Sequence, residues 1–308
     1  MSKKQKFVLG AVAAAGLLAV IIHYLLTANI PVLQPAGVVG QKEKHLMILA
    51  ILLCMIVVVP VFVMTIFIAW KYRESNQKAK YSPEWDHSRL FETIWWAIPF
   101  AIIGVLSVVA WNSSHDLDPF KALAAPGVKP LNIQVISLDW KWLFIYPDQQ
   151  VASVNRLELP INTPVNFELT SDSVMNSFWV PALGGQIYTM PGMSTQLHLM
   201  ADKLGSYNGS SANISGNGFA GMTFTAVSAT GEDFSRWVSS AKNSDSRLDA
   251  NVYQRLAEPS HDNQVSYYSS PQSGLFDDVV MKYMMPDMAG SLPPSNMMMP
   301  GMSGMAGM

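Results

Sequence analysis

The 308-residue chain is poor in charge, histidine and cysteine. Its single cysteine, Cys54, excludes an intrachain disulfide framework and any site that needs two thiolates. Cys54 lies inside an apolar run, so it carries no information on the redox compartment. Only 14% of the residues are charged and 50% are hydrophobic, against roughly 25% charged in an ordinary soluble domain. That balance argues against a wholly soluble or disordered chain and points to a membrane. The formal net charge is -2, which offers no basic surface for nucleic acid. The six histidines, at 23, 45, 87, 115, 198 and 261, show no i,i+4 pair or other ligand spacing.

What the chain does have is apolar mass at its front. Three runs cover residues 7–26, 45–70 and 90–111. Crossing a bilayer as a helix takes about 20 apolar residues. The second and third runs qualify, with Pro60 and Pro99 tolerated as kinks. The first run follows Lys3, Lys4 and Lys6 and fits a secretory signal and a retained anchor alike. No cysteine precedes Cys54, so a lipid anchor after this run is excluded. Loop 71–89 carries Lys71, Arg73, Lys78, Lys80 and Arg89, whereas Lys42, Lys44 and Lys121 flank the other ends. The positive-inside rule therefore puts the loop in the cytoplasm and everything after residue 111 outside.

From about residue 126 the pattern changes. Short stretches rich in β-branched and aromatic residues alternate with Gly, Pro, Asn and Ser clusters, the spacing of a β-sandwich or Greek-key barrel. Strands are expected at 131–138, 142–146, 156–159, 164–169, 177–180, 195–200 and 221–227. Helices are expected at 233–242 and 247–257, each with apolar residues on one face. Ten of the 19 methionines fall between Met281 and Met308, among Gly, Pro and Ser. Thioethers can bind Cu(I), but the simpler reading is a flexible, low-complexity tail. The expected organisation is a signal or anchor with linker (1–44), a transmembrane hairpin (45–111), an outer β-domain (112–228), a helical segment (229–283) and the tail (284–308).

Three stretches carry a resemblance. Residues 139–146 read DWKWLFIY, residues 172–185 read DSVMNSFWVPALGG, and residues 205–222 read GSYNGSSANISGNGFAGM. Together, after two apolar hairpin segments, they resemble subunit II of the haem-copper respiratory oxidases. The resemblance runs from about residue 35 to residue 228 or beyond, most of the chain, and implies a cupredoxin-like sandwich.

In cytochrome c oxidases this subunit holds a dinuclear copper centre. Its ligands are a His before Ser-[Phe/Trp]-x-Val-Pro, then Cys-x3-Cys-x3-His-x2-Met, with a backbone carbonyl between the cysteines. Carried over position by position, the resemblance puts Asn176 at the early His, Ser211 and Ser215 at the cysteines, Phe219 at the late His and Asn213 at the carbonyl donor. Only Met222 is kept. Bridging thiolates are soft, charged donors, a serine hydroxyl is hard and neutral, and phenylalanine donates nothing. No metal or cofactor is therefore expected in this chain. A nucleophilic role for Ser211 or Ser215 lacks a partner base placed by any motif.

A lost relay on a kept scaffold resembles the cytochrome bo-type ubiquinol oxidases, whose donor is lipid-soluble. The resemblance implies a non-redox subunit of a proton-pumping complex in the bacterial inner membrane. Its partners would be the catalytic haem-copper subunit I, other oxidase subunits, membrane lipid and, for the complex, ubiquinol. Haems and copper would sit in subunit I. Glu92, at the cytoplasmic start of the third apolar run, matches a family Glu-x2-Trp position and is a candidate for assisting proton uptake. Trp140 and Trp142 are expected to pack the sandwich and meet the catalytic subunit. Two rival readings are a copper-binding electron-transfer subunit of a cytochrome c oxidase and a membrane-tethered copper chaperone using the methionine tail.

Overall fold

A computed structural model of the chain describes residues 30–284, except 79, 81–83, 85 and 86, together with scattered positions before residue 30. The expectations for the first apolar run and for the methionine tail lie outside the described residues. Helix α1 (Val38–Lys71) and helix α2 (Arg89–Asp116) carry the second and third runs. They contain 34 and 28 residues, so at 1.5 Å per residue they extend about 51 and 42 Å, longer than the roughly 30 Å apolar core of a bilayer. Pro60 and Pro99 lie inside them as expected. Most of their large apolar side chains, from Ile51 to Trp70 and from Leu90 to Trp111, are exposed, and none is buried. A helix that is apolar all round and buries nothing within its own chain needs lipid or a partner around it.

The β-domain is a two-sheet sandwich. One sheet contains β1 (Leu131–Leu138), β2 (Lys141–Tyr146), β3 (Val151–Val154), β5 (Val165–Ser171), β8 (Thr195–Leu199) and β11 (Ser266–Ser269), in the order β11-β3-β2-β1-β5-β8. The other contains β4 (Arg156–Pro160), β6 (Asn176–Trp179), β7 (Gln186–Thr189), β9 (Gly205–Ser211) and β10 (Thr223–Ala229), in the order β4-β10-β9-β6-β7. The pairs β1–β5 and β10–β4 are parallel and the others antiparallel. All seven expected strands form, within a residue or two of their ends. Helix α3 (Gly231–Lys242) starts on a Thr230 side chain that accepts from Asp233 N, and α4 (Ala250–Ala257) on an Asp249 cap that accepts from Val252 N. Helix α5 (Leu275–Met284) ends the described chain. Strand β11 lies inside the segment expected to be helical, and it pairs with β3 at the sheet edge.

Strand β2 is buried at every position because its sheet is covered on both faces. Its inward face joins Trp142 and Phe144 to Phe167, Phe178 and Phe224. Phe178 stacks on Phe224 at 5.2 Å between ring centroids and meets Trp142 edge-on at 5.5 Å. Its outward face puts Leu143 and Ile145 under Leu248, Tyr253, Phe276 and Val279 from the region of α4 and α5. A near-continuous apolar run in a doubly covered strand is the expected sequence consequence.

Two tyrosines are held inside this packing. The Tyr146 hydroxyl donates to Glu158 O at 3.1 Å and accepts from Glu158 N at 2.8 Å. The Tyr253 hydroxyl donates to Asp172 Oδ2 at 2.7 Å. Burial pushes both phenols far above their ordinary value. A folded-state value above the unfolded one gives stability that is complete below about pH 10 and is lost as the pH rises beyond it. Urea midpoints of the outer domain should therefore hold steady up to pH 9 and fall by pH 11, and Tyr253→Phe should flatten part of that fall.

Candidate functional site

The polar positions at one end of the sandwich come together from two loops. Asn176 opens β6 and Ser211 closes β9, and the two strands pair antiparallel with Phe178 opposite Ser211. Asn176, Ser211 and Met222 are 1%, 5% and 0% exposed. Ser211 Oγ donates to Asn176 Oδ1 at 3.2 Å or to Asn213 O at 3.0 Å, and accepts from Ser177 N at 3.3 Å. Asn176 Nδ2 donates to Val174 O at 3.1 Å. Asn213 Nδ2 donates to Met175 O at 3.0 Å, tying the second loop to the first. Ser215 Oγ lies 4.0 Å from Met222 Sδ, the geometry of a weak hydroxyl-to-thioether hydrogen bond.

The second loop closes with a 3-10 turn over Phe219–Gly221. Phe219 is half-buried at the start of that turn. Trp140 lies across the loop, with Nε1 donating to Ser215 O at 3.2 Å and its ring stacked on His261 at 4.6 Å. Gly218 is obligatory here, because a Cβ at that position would run into the Trp140 ring. Trp142, by contrast, is fully buried in the core. The two tryptophans thus split between capping the loop and packing the sandwich.

The chemistry of this cluster is that of a hydrogen-bonded plug. Its side chains offer two hydroxyls, two carboxamides and one thioether, and the polar atoms are turned on each other or on backbone groups. Hard, neutral oxygens and a lone thioether do not match the soft thiolates and imidazoles that a dinuclear copper centre needs. Such a centre does not fit these residues. Among the described residues, no group of three or more His, Cys, Asp or Glu is arranged to hold a metal ion.

Glu92 stands apart from this end, in the first turn of α2. It is half-buried, and its Oε1 accepts from Ser88 N at 3.3 Å. That bond satisfies an otherwise free N–H at the helix start, where the dipole also favours a carboxylate.

One element escaped sequence reasoning altogether. Asp172, with a side chain 1% exposed, accepts from Tyr253 at 2.7 Å, from Tyr283 at 2.9 Å and from Lys282 at 2.7 Å. It clasps α4 and α5 to the strand leading into Asn176. An aspartate within DSVMNS gives no sign of this, since its partners lie about 80 to 110 residues away.

Comparison with known proteins places this architecture. A family model described as cytochrome c oxidase subunit II, periplasmic domain, matches residues 145–229, and one described as the COX aromatic rich motif matches residues 242–287. The cytochrome bo(3) ubiquinol oxidase subunit 2 of Pseudomonas putida is 49% identical over 255 residues, covering 83% of this chain and 81% of that protein. The chain belongs to the ubiquinol oxidase subunit 2 family. The ubiquinol oxidase subunit 2 of Acetobacter aceti is 46% identical over 256 residues, covering 83% of each. A crystal structure of the periplasmic domain of subunit II of a Bradyrhizobium japonicum cytochrome oxidase shares 25% identity, with 40% of this chain and 97% of that chain covered and a TM-score of 0.36. As a ubiquinol oxidase subunit 2, the chain is one subunit of an oxidoreductase complex and associates with other oxidase subunits. The sandwich is the cupredoxin-like domain of this family.

Proposed function

We propose that this chain is a non-redox brace in a proton-pumping complex that oxidises ubiquinol and reduces oxygen to water. The observation that carries this reading is the plug of Asn176, Ser211, Asn213, Ser215 and Met222, whose polar atoms bond to one another or to backbone groups rather than presenting a ligand set. A water-soluble one-electron donor needs an outer relay, and a lipid-soluble quinol can reach a catalytic subunit inside the bilayer without one. Haems and copper would then belong to the catalytic partner. Residues 45–111 would span the inner membrane as a hairpin with loop 71–89 in the cytoplasm, and the sandwich would cap the partner from the periplasm. The exposed apolar length of α1 and α2 supports contact with that partner and with lipid.

In the same reading Glu92 sits at the cytoplasmic membrane face and assists proton entry into the partner. Its carboxylate is held by Ser88 N at the helix start, so Glu92→Gln keeps an acceptor there and removes only the charge. The complex purified through a tag on this chain should oxidise ubiquinol rapidly and reduced cytochrome c poorly. Glu92→Gln should assemble normally and turn over several-fold more slowly. Wild-type turnover in that variant would remove Glu92 from the path, and fast oxidation of the soluble haem donor would remove the whole reading.

A further inference from the structure

The top of α1 holds a feature that neither the plug nor Glu92 explains. A pocket of about 470 Å³ opens between the segment before α1, the first turns of α1 and the turn after β8, and its lining includes Leu33, Pro35, Gln41, Lys44, His45 and Lys203. Its walls are fixed by backbone bonds. Ala36 N donates to Ala182 O at 2.7 Å, Val38 N to Met200 O at 3.2 Å and Asp202 N to Ala36 O at 2.9 Å. Lys203 Nζ is held over the opening by Pro35 O at 2.8 Å. Gln41, Lys44 and His45 are three and four residues apart, so they share one helix face. Neither the Lys44 amine nor the His45 ring has a partner among the described residues. Of the neighbouring carboxylates, Asp202 Oδ2 accepts from Gln41, and Glu43 accepts from Gly185 N at 3.0 Å.

The position of the pocket along α1 identifies its ligand. Residue 45 is the last polar residue before the apolar stretch of α1, so the pocket lies at the level of lipid headgroups. Clustered cations at an outer helix end run against the positive-inside pattern and call for a specific counter-charge. Below the cations the same face continues through Ile48 and Leu52, which are 39% and 60% exposed. We propose that this pocket binds an anionic phospholipid of the outer leaflet. Lys44 and Lys203 would take the phosphate, His45 would donate to a headgroup oxygen, and the acyl chains would lie along Ile48 and Leu52. The apolar continuation favours a lipid over free phosphate. This inference rests on the proposed orientation, which puts residue 45 at the outer surface.

The test uses the intact oxidase, purified through a tag on this chain, stripped of loosely bound lipid and then offered phosphatidylglycerol or phosphatidylcholine vesicles. Native mass spectrometry counts the lipid retained. The wild-type complex should keep phosphatidylglycerol and lose phosphatidylcholine. Lys44→Gln should lower phosphatidylglycerol occupancy about fivefold, the weight of one cation near an anionic headgroup. Lys44→Gln/Lys203→Gln should lower it further, with quinol oxidation by the complex intact. Equal retention of the two lipids by the wild type, unchanged occupancy in Lys44→Gln, or complete displacement of phosphatidylglycerol by millimolar inorganic phosphate would each overturn the inference. If the tag recovers no quinol-oxidising complex, the proposed function fails as well. If it recovers an active complex without selective lipid, only the pocket's assignment fails.

Discussion

Phe178→Ala lowers the stability of the outer sandwich by about 3–5 kcal/mol, the cost of a large cavity in a well-packed core. Phe178 is fully buried at the centre of the aromatic cluster, stacked on Phe224 and within 5.4 to 6.3 Å of Phe167, Trp142 and Phe144. Both sheets supply rings to this cluster, so no neighbour can move into the void without shifting a strand. Denaturant melts of the purified chain measure the loss, and Phe178→Leu should recover part of it. The effect should also reach the plug, because Phe178 pairs with Ser211 across the β6–β9 ladder. A loss below 1 kcal/mol would mean that the two sheets do not meet through these rings.

Asp172→Ala frees the C-terminal helices. The substitution removes one acceptor from three donors and leaves the buried Tyr253 hydroxyl without a partner. Stranding the buried donor of a charged acceptor costs on the order of 3 kcal/mol. The loss should be local, because the aromatic core does not involve Asp172. Amide exchange in residues 275–284 should speed up at least tenfold while β1 and β2 stay protected. Asp172→Asn keeps the shape and an acceptor oxygen and should have a smaller effect. Unchanged exchange in α5 after Asp172→Ala would show that Leu275, Phe276 and Val279 alone dock the helix.

The legible part of the fold is the part written in local pattern. Strands β1, β2 and β5 are rich in β-branched and aromatic residues, and α3 and α4 show apolar faces with capping residues ahead of them. The unread strands lack such patterns. Strand β9 reads GSYNGSS, a composition typical of a loop. Its glycine at 209 is demanded by a distant partner, since any Cβ there would enter the Phe224 ring. Strands β3, β7 and β11 have only four residues each and take their register from β2, β6 and β3. The site divides the same way. Ser211, Ser215, Asn176, Asn213, Phe219 and Met222 are readable because a motif spaces them. The Asp172 clasp and the Trp140 cap on Ser215 join residues 75 or more apart, and only the folded chain brings them together.

In the proposed reading the loop pair is closed on itself and carries no copper. Copper per complex, measured in the wild type and in Asn176→His/Ser211→Cys/Ser215→Cys/Phe219→His, isolates this chain from its partner. The wild-type complex should contain only the partner's copper, and the variant, once assembled, should gain up to two ions per chain. A wild-type complex that already holds those ions, and loses them when Met222 and Ser215 are replaced, would contradict it.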